Sequence, residues 1–497
     1  MNFAVPLIAL MLAATPAELE ATASRHVAKG FERVGRRTPV RDPALDKAAR
    51  AVAFQALEVG ARKATELTAL TEAVSSAGAW DPSPRALVLK GSPAEAPIAK
   101  LGEREDLGSE PASHVGVGVA VRGKASAVVV LLTDRQVRLE PFARQLPKPG
   151  VRELCGVLEP PLEAPEAWVT LPSGAVERPK PAKAGRGRFC YRVQFAHQGR
   201  HTLEVLGRGP KGPEVVALWF TDMGEHTAPR EGDPDEEPSD PEVARERILE
   251  RINALRRAHG VAPLTLEPRV TEVAQAYSER MSSEGFFAHV APDGSTVGQR
   301  LQAREYSYRA AGENLGLASG PLSAHFGIEH SPGHRRNLID PQYTRIGIGI
   351  AARTDRADPQ VIVTEVLVDP ARTSGDPLGE AYAALADRRK SLGLPRLERH
   401  EVLEQLALDH ARKALALDEP KSQLPDSKLH ERVFAAVDEV GAASIDVVIA
   451  DSPALITQSK SLQDPKNRLV GVGAVKGDSS RFGQDKFWVV VIYASQR

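Results

Sequence analysis

The sequence predicts an α+β fold of layered helices and sheets, and three observations predict it. Residues 145–223 alternate apolar and polar positions in the manner of short strands. Residues 242–370 run from two amphipathic helices into two strands, one marked by Gly347-x-Gly349. The same helix-to-strand order recurs towards the C-terminus. A length of 497 residues suggests roughly three domains, at about 150 residues each. Hydrophobic residues make up 42% and charged residues 26%, which places the chain among soluble globular proteins. The net charge of −1 leaves no global basic field for nucleic acid.

At the N-terminus, residues 3–14 form an apolar run. It is too short for a membrane-spanning helix, which needs about 20 apolar residues, and it suits the core of a signal peptide. Ala13, Ala14 and Ala17 can place a cleavage site, so residues 1–17 are assigned to export. The alternative is a buried N-terminal helix, because no Lys or Arg precedes the run. No cysteine follows closely enough for a lipid anchor, and no later segment is apolar enough to span a membrane. The expected location is therefore secreted or periplasmic.

Residues 145–223 read as a small all-β, Ig-like sandwich. Tyr191–Phe195 and His201–Leu206 are half-buried strands by period, and Gly209-Pro210 and Gly212-Pro213 separate them from Val215–Phe220. The two cysteines, Cys155 and Cys190, both lie here. One disulfide is expected in an exported protein, with two buried thiols as the alternative. Neither has a second Cys or His at ligand spacing, so they are not metal ligands. Residues 224–241 are rich in proline and acid, with nothing for a core, and read as a linker.

After the linker, Glu242–Ala258 is a helix with Ile248, Leu249, Ile252 and Leu255 on one face, ended by Gly260 and Pro263. A second helix covers Val270–Ser283, with Val270, Val273, Ala274, Tyr277 and Met281 as its stripe. Arg345–Ala351 and Val361–Val368 are strands. Downstream, Asp387–Pro395 echoes Ala254–Pro263. Counted without gaps from those prolines, Val270 falls with Val402 and Ala274 with Leu406. Asp464-Pro465 matches Asp340-Pro341, and Val470–Ala474 matches Ile346–Ile350. Residues 376–497 thus form a second copy. A fainter copy covers 30–144, where Asp42–Leu45, Ala48 and Ala49 resemble Glu267–Val270, Val273 and Ala274, and His114–Ala120 with Ala127–Leu132 resembles the strand pair.

The middle copy, residues 242–372, alone carries a set of chemically useful side chains. His289 follows Phe286-Phe287-Ala288, Glu313 lies in Gly312-Glu313-Asn314, and His334 stands in Ser331-Pro332-Gly333-His334, read as a turn. Two neutral imidazoles and a carboxylate can bind a divalent ion and leave a position open. Without metal they can exchange protons near neutral pH. Structural readings compete: His289 can cap a core edge, His334 can bond a carbonyl and Glu313 can brace a loop. His325 and His330 are expected at the surface, and Arg335, Arg336 and Asn337 as donors that fix the loop. Ser331 has no evident His and acid partners, there is no His-Glu-x-x-His, and Gly347-x-Gly349 lies within a strand. Opposite His334 the C-terminal copy has Gln458, so that copy is expected to keep the fold without the site.

Six ordered motifs give this segment a family resemblance: Ile252–Arg256, Met281–His289, Pro292–Gly294, Gly312–Leu315, Ser331–Arg335 and Arg345–Gly349. Residues 242–370 resemble the CAP superfamily (cysteine-rich secretory proteins, antigen 5 and pathogenesis-related 1), most of all its bacterial SCP-like branch. The resemblance implies an α-β-α sandwich with degenerate copies C-terminally and, more faintly, N-terminally. It implies a cleft of two histidines and two acids: His289, His334 and Glu313, with Glu329 near the place of the second acid. The branch often has Trp before Ser-Pro-Gly-His, where this chain has Ile328-Glu329-His330. The function expected is a non-enzymatic, exported binding module for a small hydrophobic or envelope-derived ligand, with protein partners met through the degenerate copies. The alternative is a hydrolase in which His289, Glu313 and His334 hold a divalent metal, Zn or Ca, with no other cofactor.

Overall fold

The computed structural model describes residues 14–497 apart from Arg186, 226–235, Glu305, 354–359, 371–375 and Asp451. The proposed signal core and most of the acidic linker therefore lie outside the described residues. The chain divides into two compact units, Met1–Val297 with Gly312–Leu367, and Gly298–Ala311 with Val368–Arg497.

Helices and strands are mixed throughout, as an α+β fold requires. Three four-stranded sheets share one order. In the first, Val40–Arg41 pairs with His114–Arg122, followed by Ala125–Thr133 and Arg85–Gly91. In the second the order is Thr265–Leu266, Arg345–Arg353, Gln360–Pro370 and Tyr308–Ala318. In the third it is Glu398–Arg399, Leu469–Ser479, Gly483–Gln496 and Val440–Ala450. In each, the short first strand runs parallel to the second.

The two-residue period of the strands supplies a core to each sheet face. Along His114–Arg122, Val115, Val117 and Val119 meet Val27, Phe31 and Ile98. On the opposite face, Ala120, Val129 and Leu131 meet Leu45, Val52 and Val74. The middle sheet packs Ile346 and Ile348 against Ile248 and Ile252, while Leu315 and Ile362 meet Tyr277 and Met281. The third packs Val470 and Val472 against Tyr382 and Leu385, and Val490 and Ile492 against Leu403 and Ala407. Asp42, Asp240 and Asp376 each cap a helix that opens on proline, by accepting from backbone N–H groups of its first turn.

The paired glycines explain how close helix and sheet come. A Cβ on Gly347 or Gly349 would strike the backbone of Val270–Thr271 and Ala274–Gln275. Gly116 and Gly118 stand likewise over Leu45 and Ala49–Arg50, and Gly471 and Gly473 over Leu403–Glu404 and Ala407–Leu408. This corrects the register counted from the prolines. Leu403, fully buried, takes the place of Val270, whereas Val402 is 40% exposed. The equivalence runs through Gly260 and Gly393, because the stretch from that glycine to the proline is one residue shorter downstream.

Between the first and second sheets lie two more, sharing one core around Leu154, Phe189, Phe195, Leu203, Val205 and Trp219. One has the order Lys180–Ala184, Arg188–Phe195, Gly150–Leu158, Val137–Leu139. The other runs Gln145–Leu146, Gly212–Met223, Gly199–Gly209, Glu163–Thr170, Val176–Glu177. The β segment thus starts at Val137, ahead of 145, because Val137–Leu139 pairs with Gly150–Leu158. Cys155 and Cys190 face each other on adjacent strands and form a disulfide. The bridge lies within one sheet, unlike the inter-sheet bridge of antibody domains.

Candidate functional site

The site lies in the middle domain. The helix Pro268–Ser283 ends in a loop that delivers His289. Glu313 projects from the strand Tyr308–Ala318 rather than from a loop, and its buried side chain is 3% exposed. His289 Nδ1 donates to Glu313 Oε1 at 2.9 Å. His334 is also placed differently from expectation. It is not in an open turn: Pro332 opens a short helix, Pro332–Leu338, that carries it. The rings of His289 and His334 stack with centroids 6.4 Å apart. Burial, then the charge of His289, holds the His334 pKa down at about 3, so its imidazole is neutral.

Glu329 does not join this group by any contact described. It bonds Arg251 Nη2 at 3.3 Å and lies 3.6 Å from His325 Nε2. His325 was expected at the surface, and the structure corrects this: it is fully buried, with Nδ1 2.7 Å from Glu365 Oε1. Burial opposes its charge, but Glu365 and then Glu329 outweigh it and raise His325 to about 9. Burial works against the charge of Glu329 too, but the adjacent His325 charge outweighs it and lowers Glu329 to about 2. His330 is half-buried, stacked on Phe326 with centroids 3.9 Å apart. A polar chain ties this pair to the site. Asn314, fully buried, donates to Glu365 Oε2 at 3.2 Å and accepts from Asn337 Nδ2 at 2.9 Å. Arg335 is a structural donor, to the carbonyls of Gly174 and Glu329.

The residue that sequence reasoning missed comes from the β segment. Glu204 lies on Gly199–Gly209 and is fully buried against the Pro332–Leu338 helix. Its Oε2 accepts from Ser331 Oγ at 2.7 Å and from Gly333 N at 3.2 Å. Ser331 Oγ also lies 2.7 Å from His334 Nδ1. The order is acid, serine, histidine, so no imidazole stands between the acid and the serine as nucleophilic activation demands. Burial raises Glu204 to about 7, with Ser331 and Gly333 offsetting part of the rise. The only signal in the sequence was a Glu in a strand position that alternation assigns to solvent.

A divalent ion needs convergent ligands. Among the described residues no group of three His, Cys, Asp or Glu stands in such an arrangement. Among them also, no helix is long and apolar enough to cross a membrane.

Residues 249–366 match the model of CAP, the cysteine-rich secretory protein family. The chain is 32% identical over 110 residues to an uncharacterized membrane protein, YlbC, of Bacillus subtilis, covering 22% of this chain and 32% of that one. It is 30% identical over 115 residues to YkwD of the same organism, covering 22% and 44%. The match therefore spans less than half the length of either relative. A solved extracellular protein containing an SCP domain from Bacillus anthracis is 20% identical, with 47% of this chain and 88% of that one covered, at a TM-score of 0.23.

Proposed function

Because the middle segment of this chain is a CAP domain of the bacterial branch, we propose that the protein is an exported, non-enzymatic binding module. It takes a small hydrophobic or envelope-derived ligand at the cleft formed by His289, Glu313 and His334. The observation that carries the reading is that neighbours already hold these polar groups. His289 is tied to Glu313, and His334 is neutral and tied to Ser331. Such groups suit the orientation of a ligand's polar end, and nothing in the arrangement activates a nucleophile. The domains at 30–144 and 376–497 are read as degenerate CAP copies, with protein partners as their proposed role. The shared sheet order supports this, as does Gln458 where His334 would stand.

Native mass spectrometry with elemental analysis of protein purified from the secreted or periplasmic fraction tests the reading. A retained small molecule is expected in wild type and lost in His334→Ala, with no stoichiometric metal. Stoichiometric zinc or calcium, with hydrolysis abolished by His334→Ala, would replace the binding role with the hydrolase.

A further inference from the structure

Strand alternation places Leu203 and Val205 in the β core and Glu204 on the outer face. That face is covered by the Pro332–Leu338 helix, so the carboxyl group is buried where the CAP domain meets the β segment. Among the described residues, Glu204 Oε1 has no hydrogen-bond partner, while Oε2 has two donors. A hydroxyl has a single proton. With that proton given to an ionised Glu204, Ser331 can only accept from His334. The proton of the neutral imidazole must then sit on Nδ1, which leaves the lone pair on Nε2. Among the described residues, His334 Nε2 makes no hydrogen bond.

We infer that Glu204 is a positioning residue for His334, acting through Ser331 to hold the imidazole in its Nδ1–H form. His334 then offers Nε2 as an acceptor, and the ligand group that meets it is a donor: a hydroxyl, an amide N–H or an ammonium. The donor preference rests on the binding role proposed above, and the tautomer does not. The β segment is accordingly part of the site, since without Glu204 the serine proton would turn to His334 Nδ1, 2.7 Å away, and the Nδ1–H form would be lost.

Long-range proton–nitrogen correlation spectra of the ligand-free full chain test this at a pH of about 8.5, where Glu204 is ionised and the His334 imidazole is neutral. His334 is expected as Nδ1–H in wild type. It stays so in Glu204→Gln, whose amide oxygen still accepts from Ser331. It changes to Nε2–H in Glu204→Leu, where the serine proton turns to Nδ1. Nε2–H in wild type overturns the inference, as does Nδ1–H retained in folded Glu204→Leu. The wild-type spectrum decides even if the leucine variant does not fold. A retained ligand lacking hydroxyl, amide and ammonium groups overturns the donor assignment. Absence of any ligand removes the binding role and leaves the tautomer result standing.

Discussion

His325 shows how much a single buried charge governs here. Fully buried between Glu365 and Glu329, it holds a proton up to about 9, against an ordinary value of 6.5. A raised histidine pKa contributes stability that is complete below 6.5 and lost as pH rises through about 9. Glu329, lowered from 4.5 to about 2, contributes stability present above 4.5 and lost as pH falls towards 2. Replacing His325 by Leu leaves the buried Glu365 without its ion-pair partner. Denaturant unfolding at neutral pH should show a loss of about 3–5 kcal/mol. The wild-type decline between pH 6.5 and 9 should be missing in this variant. A variant as stable as wild type would show that the pair contributes nothing net. None of this was legible in the sequence. His325 stands in a run, Ser323–His330, where polar and apolar residues follow no clean period, and its partner Glu365 is forty positions away.

At the scale of elements, the most legible feature was the helix on a glycine-paired strand. Helices predicted over Glu242–Ala258 and Val270–Ser283 are observed over Pro241–Ala258 and Pro268–Ser283, because a proline marks each start, behind the capping Asp240 in the first. The strand Tyr308–Ala318 was not foreseen, since Gly312-Glu313-Asn314 interrupts its alternation. A side-chain cage shared by two domains supplies a second test. Arg256 donates to the carbonyls of Ala262, Leu338, Asp340 and Tyr343. In the C-terminal unit, Arg389 donates to those of Pro395, Leu462, Asp464 and Asn467. Each guanidinium thus stitches the end of a helix to the segment before the glycine strand. Arg389→Met should leave several buried carbonyls without donors, at about 1–3 kcal/mol for each one that water does not reach. Hydrogen exchange of peptides covering residues 469–496 should accelerate by at least tenfold, and unchanged protection would argue against the cage.

For the molecule as a whole, the β segment and the CAP domain meet through defined contacts inside one unit. Val290 N donates to Lys211 O at 3.0 Å, and Arg336 lies over the Trp168 ring. Gly212 has a φ of +97°, and an added Cβ would stand 2.9 Å from His289 Cβ. Gly212→Val would therefore be strained in its backbone and press on the His289–Glu313 pair. A loss of about 1–3 kcal/mol in stability is expected, with displaced His289 ring signals in the NMR spectrum. Unmoved His289 signals in the folded variant would mean that the hairpin does not bear on the site.

The sequence by itself determined the long helices and the glycine-paired strand of the middle segment, its family, and the choice of His289, Glu313 and His334 as candidates. These are read from local periods and ordered motifs, which need no knowledge of distant contacts. Only the tertiary structure decided the partners: Glu313 with His289, Glu365 with His325, and Glu204 with Ser331. A strand's alternation says which face a side chain takes. It cannot say whether water or another domain covers that face. The strand period puts Glu204 on the outer face, docking of the Pro332–Leu338 helix buries it there, and that burial links the β segment to His334.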